Sequence, residues 1–351
     1  MRAARLHGRH DLRVDTIAEP SSIGPDEIRV APLWCGVCGS DLHEFETGGY
    51  FIPHENMPQI LGHEFSATIL ETGSNVRNVR VGQRASVLPH VYCGRCWFCA
   101  GGGRKALCRN IVFTGLSWPS GGLAEQAIVP AYQAIPLPDG VTDEQGALLE
   151  PLASAEYAVR RAGVGLGDRI LVTGAGPIGQ LSILVAAAAG ARAIYVSETN
   201  ATRRAQAERL GVTRAFDPAA TDVVAEVIEA CDGVGVDAAI ECSGSERALE
   251  ACIGATRAGG TISQVAIHVG PRTVRPDAWT LKDLNIHGSW SWDASDAPRL
   301  LDLIASGRLP VERIVTRRID LEDIADGLRS LGDPAGDQVK ILVRHGGRSL
   351  A

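Results

Sequence analysis

The chain has 351 residues, of which 45% are hydrophobic and 21% are charged. This length and composition are typical of a folded protein of about two domains, and they exclude wholesale disorder, collagen and coiled coil. With 41 acidic against 34 basic residues, the net charge is -7. A nucleic-acid partner is therefore disfavoured, because neutralising phosphates needs a basic face.

The apolar stretches fall short of the ~20 residues that a membrane helix needs, and the N-terminus has no apolar signal core. We therefore expect a cytoplasmic protein without a membrane partner. In that reducing compartment, the nine cysteines are better explained by bound metal than by a disulfide framework.

The first 150 residues are rich in glycine and proline and contain short β-branched runs at 27–30, 64–70 and 127–129. They predict an irregular, mostly β domain. A helix at 153–162 follows, and then strands alternate with helices. The predicted strands are 169–173, 193–197, 215–216, 236–241, 261–267 and 284–289, and the predicted helices are 178–189, 201–210, 221–230 and 246–257.

This alternation predicts a doubly wound parallel sheet with helices on both faces, hence an α/β protein. The tail carries two amphipathic helices, 296–306 and 321–331, and a last strand, 339–343. We expect that strand to return to the first domain. The doubly wound unit would then be inserted between two parts of the β domain.

A G-x-G-x-x-G motif lies between the predicted strand 169–173 and the helix that follows it. Gly174 permits a tight turn, Gly176 lets the backbone approach a pyrophosphate, and Gly179 lets helix and strand pack closely. Pro177 and Ile178 complete the motif at the helix N-terminus, where free amide donors favour phosphate. The alternative is a plain tight turn.

Glu198 ends the next strand, 19 residues after Gly179. Its carboxylate would accept hydrogen bonds from the adenosine ribose and repel a 2'-phosphate, which favours NAD over NADP. Arg203 and Arg204 follow and would instead attract phosphate. The alternative for Glu198 is a solvated surface carboxylate.

Four cysteines, Cys93, Cys96, Cys99 and Cys108, lie in one glycine-rich loop. Two-residue gaps let thiolates converge on one tetrahedral ion, and four thiolates leave no open position. The loop therefore predicts a closed structural zinc site. The alternatives are free thiols, a disulfide pair, or a zinc ribbon that binds nucleic acid.

A second set of metal-binding residue types is dispersed along the chain. Cys38 lies in CGVCGSDLHEF, His63 and Glu64 lie in ILGHEF, and Glu150 lies in ALLEPLA. A thiolate, an imidazole and a carboxylate can hold zinc while leaving a place for water or substrate. Taken singly, each of these residues could equally be a packing residue.

Taken together and in this order, the motifs resemble the zinc-dependent medium-chain dehydrogenase/reductase superfamily across nearly the whole chain. Within it, GGYFIP, EPLA, SETNATRR and QVAIH resemble the (R,R)-butanediol dehydrogenase branch, whose neighbours are the polyol (sorbitol) and threonine dehydrogenases. Two departures are a gap between Cys99 and Cys108 that is one residue longer and a segment 44–59 that is shorter. That segment helps to shape the substrate pocket in the family.

The resemblance implies a GroES-like catalytic domain, residues 1–151 and 291–351, and a Rossmann NAD-binding domain, residues 152–290. It implies two zinc ions per chain, one catalytic and one structural. Cys38 and His63 would ligate the catalytic zinc. Glu64 and Glu150 would be carboxylate ligands that exchange with water, and which of them binds in the resting state stays open.

Further roles follow from the same resemblance. Asp41 would orient His63, although a helix N-cap is a compatible role. Ser40 and His43 match the family's proton relay, in which an imidazole suits the terminal acceptor; the alternative for His43 is an exposed loop histidine. Val265 and Ile267 would lie on the strand that passes the nicotinamide, or would simply be buried strand residues.

The function so implied is a zinc-dependent, NAD(H)-linked secondary-alcohol dehydrogenase that interconverts a vicinal diol and a hydroxyketone, as with 2,3-butanediol and acetoin. The alternatives are polyol, threonine or cyclitol oxidation. A non-enzyme alternative is a zinc-ribbon binding protein with a vestigial dehydrogenase fold. The partner is a small-molecule alcohol or ketone, and we expect a homo-oligomer, dimer or tetramer, for which the predicted edge strand 284–289 is a candidate pairing surface.

Overall fold

Short strands lie towards both ends of the chain, and strands alternate with helices in the middle. The computed structural model describes residues 1–268, 270–333 and 335–345. Its strands are β1 (Arg2–Gly8), β2 (Asp11–Thr16), β3 (Glu27–Gly36), β4 (Gln59–Ile60), β5 (Glu64–Thr72), β6 (Arg84–Val87), β7 (His90–Val91), β8 (Val112–Phe113), β9 (Ala127–Pro130), β10 (Ala134–Pro136), β11 (Arg169–Thr173), β12 (Ala193–Ser197), β13 (Arg214–Phe216), β14 (Val236–Glu241), β15 (Thr256–Gln264), β16 (Asn285–Gly288), β17 (Val315–Asp320) and β18 (Lys340–Arg344). Its α-helices are α1 (Gly39–Thr47), α2 (Trp97–Ala100), α3 (Asp143–Ala147), α4 (Leu149–Arg161), α5 (Pro177–Ala189), α6 (Ala201–Arg209), α7 (Val223–Ala230), α8 (Glu246–Ala255), α9 (Pro276–Thr280), α10 (Ala297–Ala305) and α11 (Ile324–Gly332).

The first of two compact units comprises residues 1–150, 293–307 and 315–351. Its main sheet has the order β10-β6-β5-β3-β18-β17, with β9 also paired to β3. β18 runs antiparallel to β3, with Leu342 opposite Gly36 and Val343 opposite Cys35. The last strand of the chain therefore joins the sheet that the first third of the chain begins.

The core of this unit forms where β-branched and aromatic side chains alternate towards one side of each strand. Ile28 and Val30 of β3, Phe65 and Ile69 of β5, and Val343 of β18 are all buried in it. This packing fixes the ends of β3 and β5, from which the metal-binding residue types project.

The second unit comprises residues 151–292 and 308–314. Its sheet has the order β13-β12-β11-β14-β15-β16, and every neighbouring pair is parallel. The doubly wound α/β fold predicted from the alternation is confirmed. The winding reverses between β11 and β14, and in such sheets ligands bind beyond the carboxyl ends of the strands at that point.

The boundaries predicted for two consecutive elements of this unit are wrong. The helix predicted at 246–257 ends at Ala255, and the strand predicted at 261–267 is β15, Thr256–Gln264. Thr256 ends the helix because its backbone is extended and pairs with Val236 of β14. Val265 and Ile267 consequently lie beyond the end of the strand.

Among the described helices, none combines the length and the apolar composition that crossing a bilayer requires.

Candidate active site

The three glycines of the G-x-G-x-x-G motif each have a distinct steric environment. Gly174 has φ 86, and a Cβ there would meet Ser243 at 3.0 Å. Nothing lies within 4 Å of a Cβ at Gly176, whereas one at Gly179 would lie 1.9 Å from the Gly174 carbonyl oxygen. The geometry matches a tight turn, an open approach to the backbone and a close helix–strand contact, in that order.

A cavity of about 820 Å³ lies at the carboxyl ends of the parallel strands of the second unit. α5 begins at Pro177, with Gly176 as its N-cap, so its unpaired N–H groups are available to an anion. Ile178 lies in the same first turn. Residues lining the cavity include Gly174, Gly176, Glu198, Arg203, Ser243 and Arg247.

Glu198 is a buried wall of this cavity, not a solvated surface residue. Its Oε2 accepts from the Ala175 N–H at 2.7 Å, and its Oε1 accepts from the Asn200 N–H at 2.8 Å. The Thr199 hydroxyl also donates to Oε1, at 3.3 Å, so both oxygens are held in place and Oε2 retains a lone pair for a further donor.

The two arginines after Glu198 have different surroundings. Arg204 donates to the carbonyl oxygens of Glu198 and Thr199 at 2.7 and 2.6 Å and pairs with Asp217 at 3.1 Å. Arg203 lines the cavity. Of the pair, only Arg203 therefore borders the space in which a phosphate would lie.

The four loop cysteines converge. Their sulfur atoms all lie within 4.8 Å of one another, and Cys96 Sγ is 3.5 Å from Cys99 Sγ and 3.8 Å from Cys108 Sγ. These separations exceed a disulfide bond of about 2.05 Å. They match the edge of roughly 3.8 Å that a tetrahedron with Zn–S bonds of about 2.3 Å would have, so the donor set fits zinc.

Backbone donors around this loop favour the thiolate form. N–H groups of Arg95 and Cys96 are the main cause of a pKa of about 6 for Cys93. The Arg109 N–H likewise lowers the pKa of Cys96. Burial and the neighbouring Cys108 and Cys96 thiols instead raise the pKa of Cys99, so the backbone donors favour the metal-binding thiolate at Cys93 and Cys96.

The dispersed residues also come together. One ligand atom each from Cys38, His63 and Glu64 lies within 4.8 Å of the others. Cys38 is the N-cap of α1, and His63 and Glu64 enter β5. His63 and Glu64 are buried. A thiolate, an imidazole and a carboxylate at this spacing form a donor set that fits zinc.

Asp41 and Ser40 contact the two ring nitrogens of His63. Asp41 Oδ1 is 3.5 Å from Nδ1, and Ser40 Oγ is 3.2 Å from Nε2. Asp41 Oδ2 accepts from the Cys38 N–H at 2.9 Å. Asp41 thus lies in the first turn of α1 and caps it by reaching back to Cys38, while its other oxygen faces His63.

The electrostatics of this cluster favour a positive charge. Burial alone would lower the pKa of His63. The Asp41 carboxylate and the Cys38 sulfur raise it by more than burial lowers it, so the pKa lies well above its usual value. A divalent cation would supply the same positive charge.

Lys340, which the sequence analysis missed, contacts this cluster from β18. Its ammonium group pairs with Glu64 Oε2 and donates to the Val37 carbonyl at 3.0 Å. Burial lowers the pKa of Lys340, but attraction to Glu64, Cys38 and Glu150 outweighs it and the pKa is raised. Glu150 therefore lies near the cluster, although it is outside the group of three converging ligand atoms.

Glu44 was also missed. Its buried carboxylate accepts from the N–H groups of Tyr50, Phe51 and Ile52, at 2.9 Å for Tyr50. From α1, the carboxylate thereby holds residues 50–52 of the segment 44–59 in place. The sequence signal was weak, because a glutamate on a short helix ordinarily faces solvent.

His43 and Ser40 lie three residues apart on α1 and so face the same side of the helix. His43 is half-buried, and its ring meets the Tyr50 ring edge to face at a centroid distance of 6.1 Å. His43 is therefore not a freely exposed loop residue.

Val265 and Ile267 differ from both expectations, because neither is within a strand. The Val265 N–H donates to the Glu241 carbonyl oxygen at 3.0 Å, and Ile267 is 40% exposed. The two residues form a loop at the carboxyl edge of the parallel sheet.

Comparison with known families matches both parts of the chain. Residues 24–139 match the family described as alcohol dehydrogenase GroES-like domain, and residues 177–306 match the family described as zinc-binding dehydrogenase. The first match covers Cys38, His63 and the four loop cysteines. The second begins at Pro177, inside the glycine-rich motif, and covers Gly179 and every strand of the parallel sheet except β11.

Similar proteins span nearly the full length. (R,R)-butanediol dehydrogenase of Bacillus subtilis (strain 168) is 38% identical over 98% of this chain and 99% of its own. Sorbitol dehydrogenase of Homo sapiens is 33% identical over 97% of this chain and 94% of its own. A crystal structure from Sinorhizobium meliloti 1021, of a protein described as a zinc-binding dehydrogenase and bound to NADP, is 33% identical with a TM-score of 0.87 over 98% of this chain and 99% of that one.

The glycine-rich turn, the converging ligand sets and the full-length similarity lead to one conclusion. This chain belongs to the zinc-dependent medium-chain dehydrogenase/reductase superfamily and is an alcohol dehydrogenase that uses zinc and a nicotinamide cofactor.

Proposed function

We propose that the protein interconverts a vicinal diol and the corresponding hydroxyketone, as in the 2,3-butanediol and acetoin pair. The observation that carries this proposal is the convergence of Cys38, His63 and Glu64 in a chain 38% identical to a butanediol dehydrogenase. A small molecule with adjacent oxygen atoms is the substrate class. Polyols, threonine and cyclitols are the competing substrates.

The proposed metal content is two zinc ions per chain. Cys93, Cys96, Cys99 and Cys108 would hold a structural ion with no open position. Cys38, His63 and one carboxylate, Glu64 or Glu150, would hold the catalytic ion. The contact between Glu64 and Lys340 supports a carboxylate ligand that can leave the zinc, because Glu64 can pair with the buried Lys340 ammonium group instead.

Zinc held by Cys38 and His63 would supply a Lewis acid that favours the alkoxide on oxidation and polarises the carbonyl on reduction. The nicotinamide would accept or supply the hydride. Asp41 would hold His63 in one orientation and tautomer through Nδ1. Ser40, beside His63, would accept the hydroxyl proton while passing its own to the nicotinamide ribose hydroxyls, and His43, on the same side of α1, would be the final acceptor nearer the surface.

The proposed cofactor is NAD. Support comes from the Glu198 carboxylate, which two N–H groups fix in the cavity wall. In that position it can accept from ribose hydroxyls, whereas a 2'-phosphate would meet a like charge. Arg203 is the opposing observation, and an NADP-bound relative makes the choice a matter for experiment.

We also expect a cytoplasmic homo-oligomer. The support is β16, which pairs on one side with β15 and on its other side with no strand among the described residues. An open edge of this kind can pair with a second copy.

The test is a substrate panel with the purified, zinc-loaded enzyme. Butanediol, acetoin, sorbitol, threonine and a cyclitol are assayed with NAD(H) and NADP(H), and kcat/KM is compared. Highest kcat/KM for butanediol and acetoin with NAD(H) supports the proposal. Preference for sorbitol, threonine or the cyclitol contradicts the substrate, and preference for NADP(H) contradicts the cofactor.

A further inference from the structure

A buried carboxylate lies at the point where the winding of the parallel sheet reverses. Glu241 is the last residue of β14, the strand beside β11, and its side chain is 0% exposed. Burying a carboxylate is costly unless several donors surround it. The donors around Glu241 come from two different loops, one on each side.

One oxygen of Glu241 organises the turn that follows β14. Oε1 accepts from the Ser243 N–H at 2.7 Å, the Ser243 hydroxyl at 2.8 Å and the Gly244 N–H at 2.9 Å. Ser243 is the residue that a Cβ at Gly174 would meet at 3.0 Å. This oxygen therefore fixes a turn packed against the glycine-rich loop.

The other oxygen fixes the loop after β15, residues 265–268. Oε2 accepts from Gln264 Nε2 at 2.6 Å and contacts His268 Nε2 at 3.2 Å. The main-chain oxygen of Glu241 accepts from the Val265 and Ala266 N–H groups at 3.0 and 3.1 Å. Three further hydrogen bonds and the contact with His268 thus hold both ends of this loop to one residue.

The two loops also touch each other. A Cβ at Gly244 would lie 3.0 Å from the Ile267 carbonyl oxygen. Among the described residues, two buried polar atoms of the cluster, Gln264 Oε1 and His268 Nδ1, have no hydrogen-bond partner. The 265–268 loop therefore retains buried polar capacity that a bound group or water can use.

In a doubly wound sheet, the two halves on either side of the switch point bind the two nucleotide halves of a dinucleotide. The half with β11 carries the pyrophosphate loop, and the half with β14 and β15 carries the 265–268 loop. We infer that Glu241 and His268 are positioning residues that hold the 265–268 loop in register for the nicotinamide half of the cofactor. This inference rests on the proposed function as a nicotinamide-dependent dehydrogenase.

His268 is the replaceable member of the pair. Without its contact to Glu241, the far end of the loop loses its side-chain anchor, while the turn at Ser243 keeps its three bonds to the other oxygen. The adenosine and pyrophosphate contacts should then persist. Affinity should fall only for ligands that carry the nicotinamide ring.

The test compares two ligands on the full-length, zinc-loaded protein. Binding of NADH and of ADP-ribose, which lacks the nicotinamide, is measured by calorimetry for wild type, His268→Ala and His268→Gln. We expect His268→Ala to lower the affinity for NADH by roughly tenfold or more, because a hydrogen bond to a charged group is lost. The affinity for ADP-ribose should change by less than about twofold. His268→Gln keeps a side-chain donor and should recover most of the NADH affinity.

The emission maximum of bound NADH gives a second readout, because it reports the surroundings of the ring. His268→Ala should shift it towards that of free NADH, and KM for NAD should rise more than kcat falls. His7→Ala is the matched control: this half-buried histidine of β1 contacts the Asp15 carboxylate rather than Glu241 and should leave both affinities unchanged.

The possible outcomes distinguish failure of the inference from failure of the proposed function. Equal weakening of NADH and ADP-ribose in His268→Ala, or no change in either, would overturn the inference. So would failure of His268→Gln to recover affinity. If wild type binds neither ligand, the proposed function itself is wrong and the inference fails with it.

Discussion

The ammonium group of Lys340 lies against the carboxylate of Glu64, and the two side chains are 0% and 1% exposed. A buried charge that loses its partner is strongly destabilising, because desolvation is no longer compensated. This ion pair connects the last strand of the chain to the proposed catalytic metal cluster. It therefore gives the first prediction.

Lys340→Met should lower the free energy of unfolding by about 3 to 5 kcal/mol, since it leaves Glu64 buried without its ammonium partner. Urea unfolding measures this change. Lys105→Met is the matched control, because the same substitution at an exposed lysine should change stability by no more than about 0.5 kcal/mol. Equal effects of the two variants would show that the Lys340 contact contributes nothing specific.

Gly36→Ala should disturb the same pair from the neighbouring strand. An added Cβ would lie 2.2 Å from Glu64 Oε2 and 3.0 Å from Lys340 Cε. We expect a loss of roughly 1 to 3 kcal/mol in unfolding free energy, the usual cost of overpacking. Gly8→Ala, where nothing lies within 4 Å of the Cβ, should be nearly neutral. A neutral Gly36→Ala would mean that Glu64 can move at little cost.

His345→Leu should make stability less sensitive to acid. Burial lowers the pKa of His345 to about 4, from 6.5 when unfolded. The unfolded state therefore binds the proton first, and stability present above pH 6.5 is lost as the pH falls towards 4. Between about pH 7 and pH 5 this residue should account for about 2 kcal/mol of that loss.

The measurement is urea unfolding of wild type and His345→Leu at both pH values. The stability difference between them should shift in favour of the variant at the lower pH. A difference that stays constant with pH would contradict the assigned role of His345.

His43→Ala should lower turnover by roughly a hundredfold, the scale of an acid–base contribution, and added imidazole should restore part of it. Steady-state kinetics with and without imidazole measures both effects. His7→Ala, which removes a half-buried histidine of β1 that contacts Asp15, is the control. Unchanged turnover in His43→Ala would remove this residue from the proton path.

Local reasons explain what the sequence predicted well. Gly174 has a positive φ, Gly179 packs against the carbonyl of Gly174 five residues earlier, and the loop cysteines converge because short gaps leave their sulfur atoms close. The alternation of strands and helices is equally local, so the doubly wound sheet could be predicted. The helix end at Ala255 was misplaced because pairing with the distant Val236 decides it.

Long-range contacts explain what was missed. Lys340 is 276 residues from Glu64, so the neighbouring sequence could not identify its partner. Glu241 and His268 meet only because β14 and β15 are neighbours in the sheet. A lysine inside the apolar run VKILV was the available signal, since burial of a lysine requires a partner.

The most direct test of the account is zinc content measured together with turnover in two cysteine variants. Wild type should hold two zinc ions per chain. Cys38→Ser should lose one ion and essentially all turnover, and Cys99→Ser should lose the other ion and thermal stability. Full turnover with two ions retained in Cys38→Ser would contradict the claim that Cys38, His63 and a carboxylate hold the metal at which the alcohol reacts.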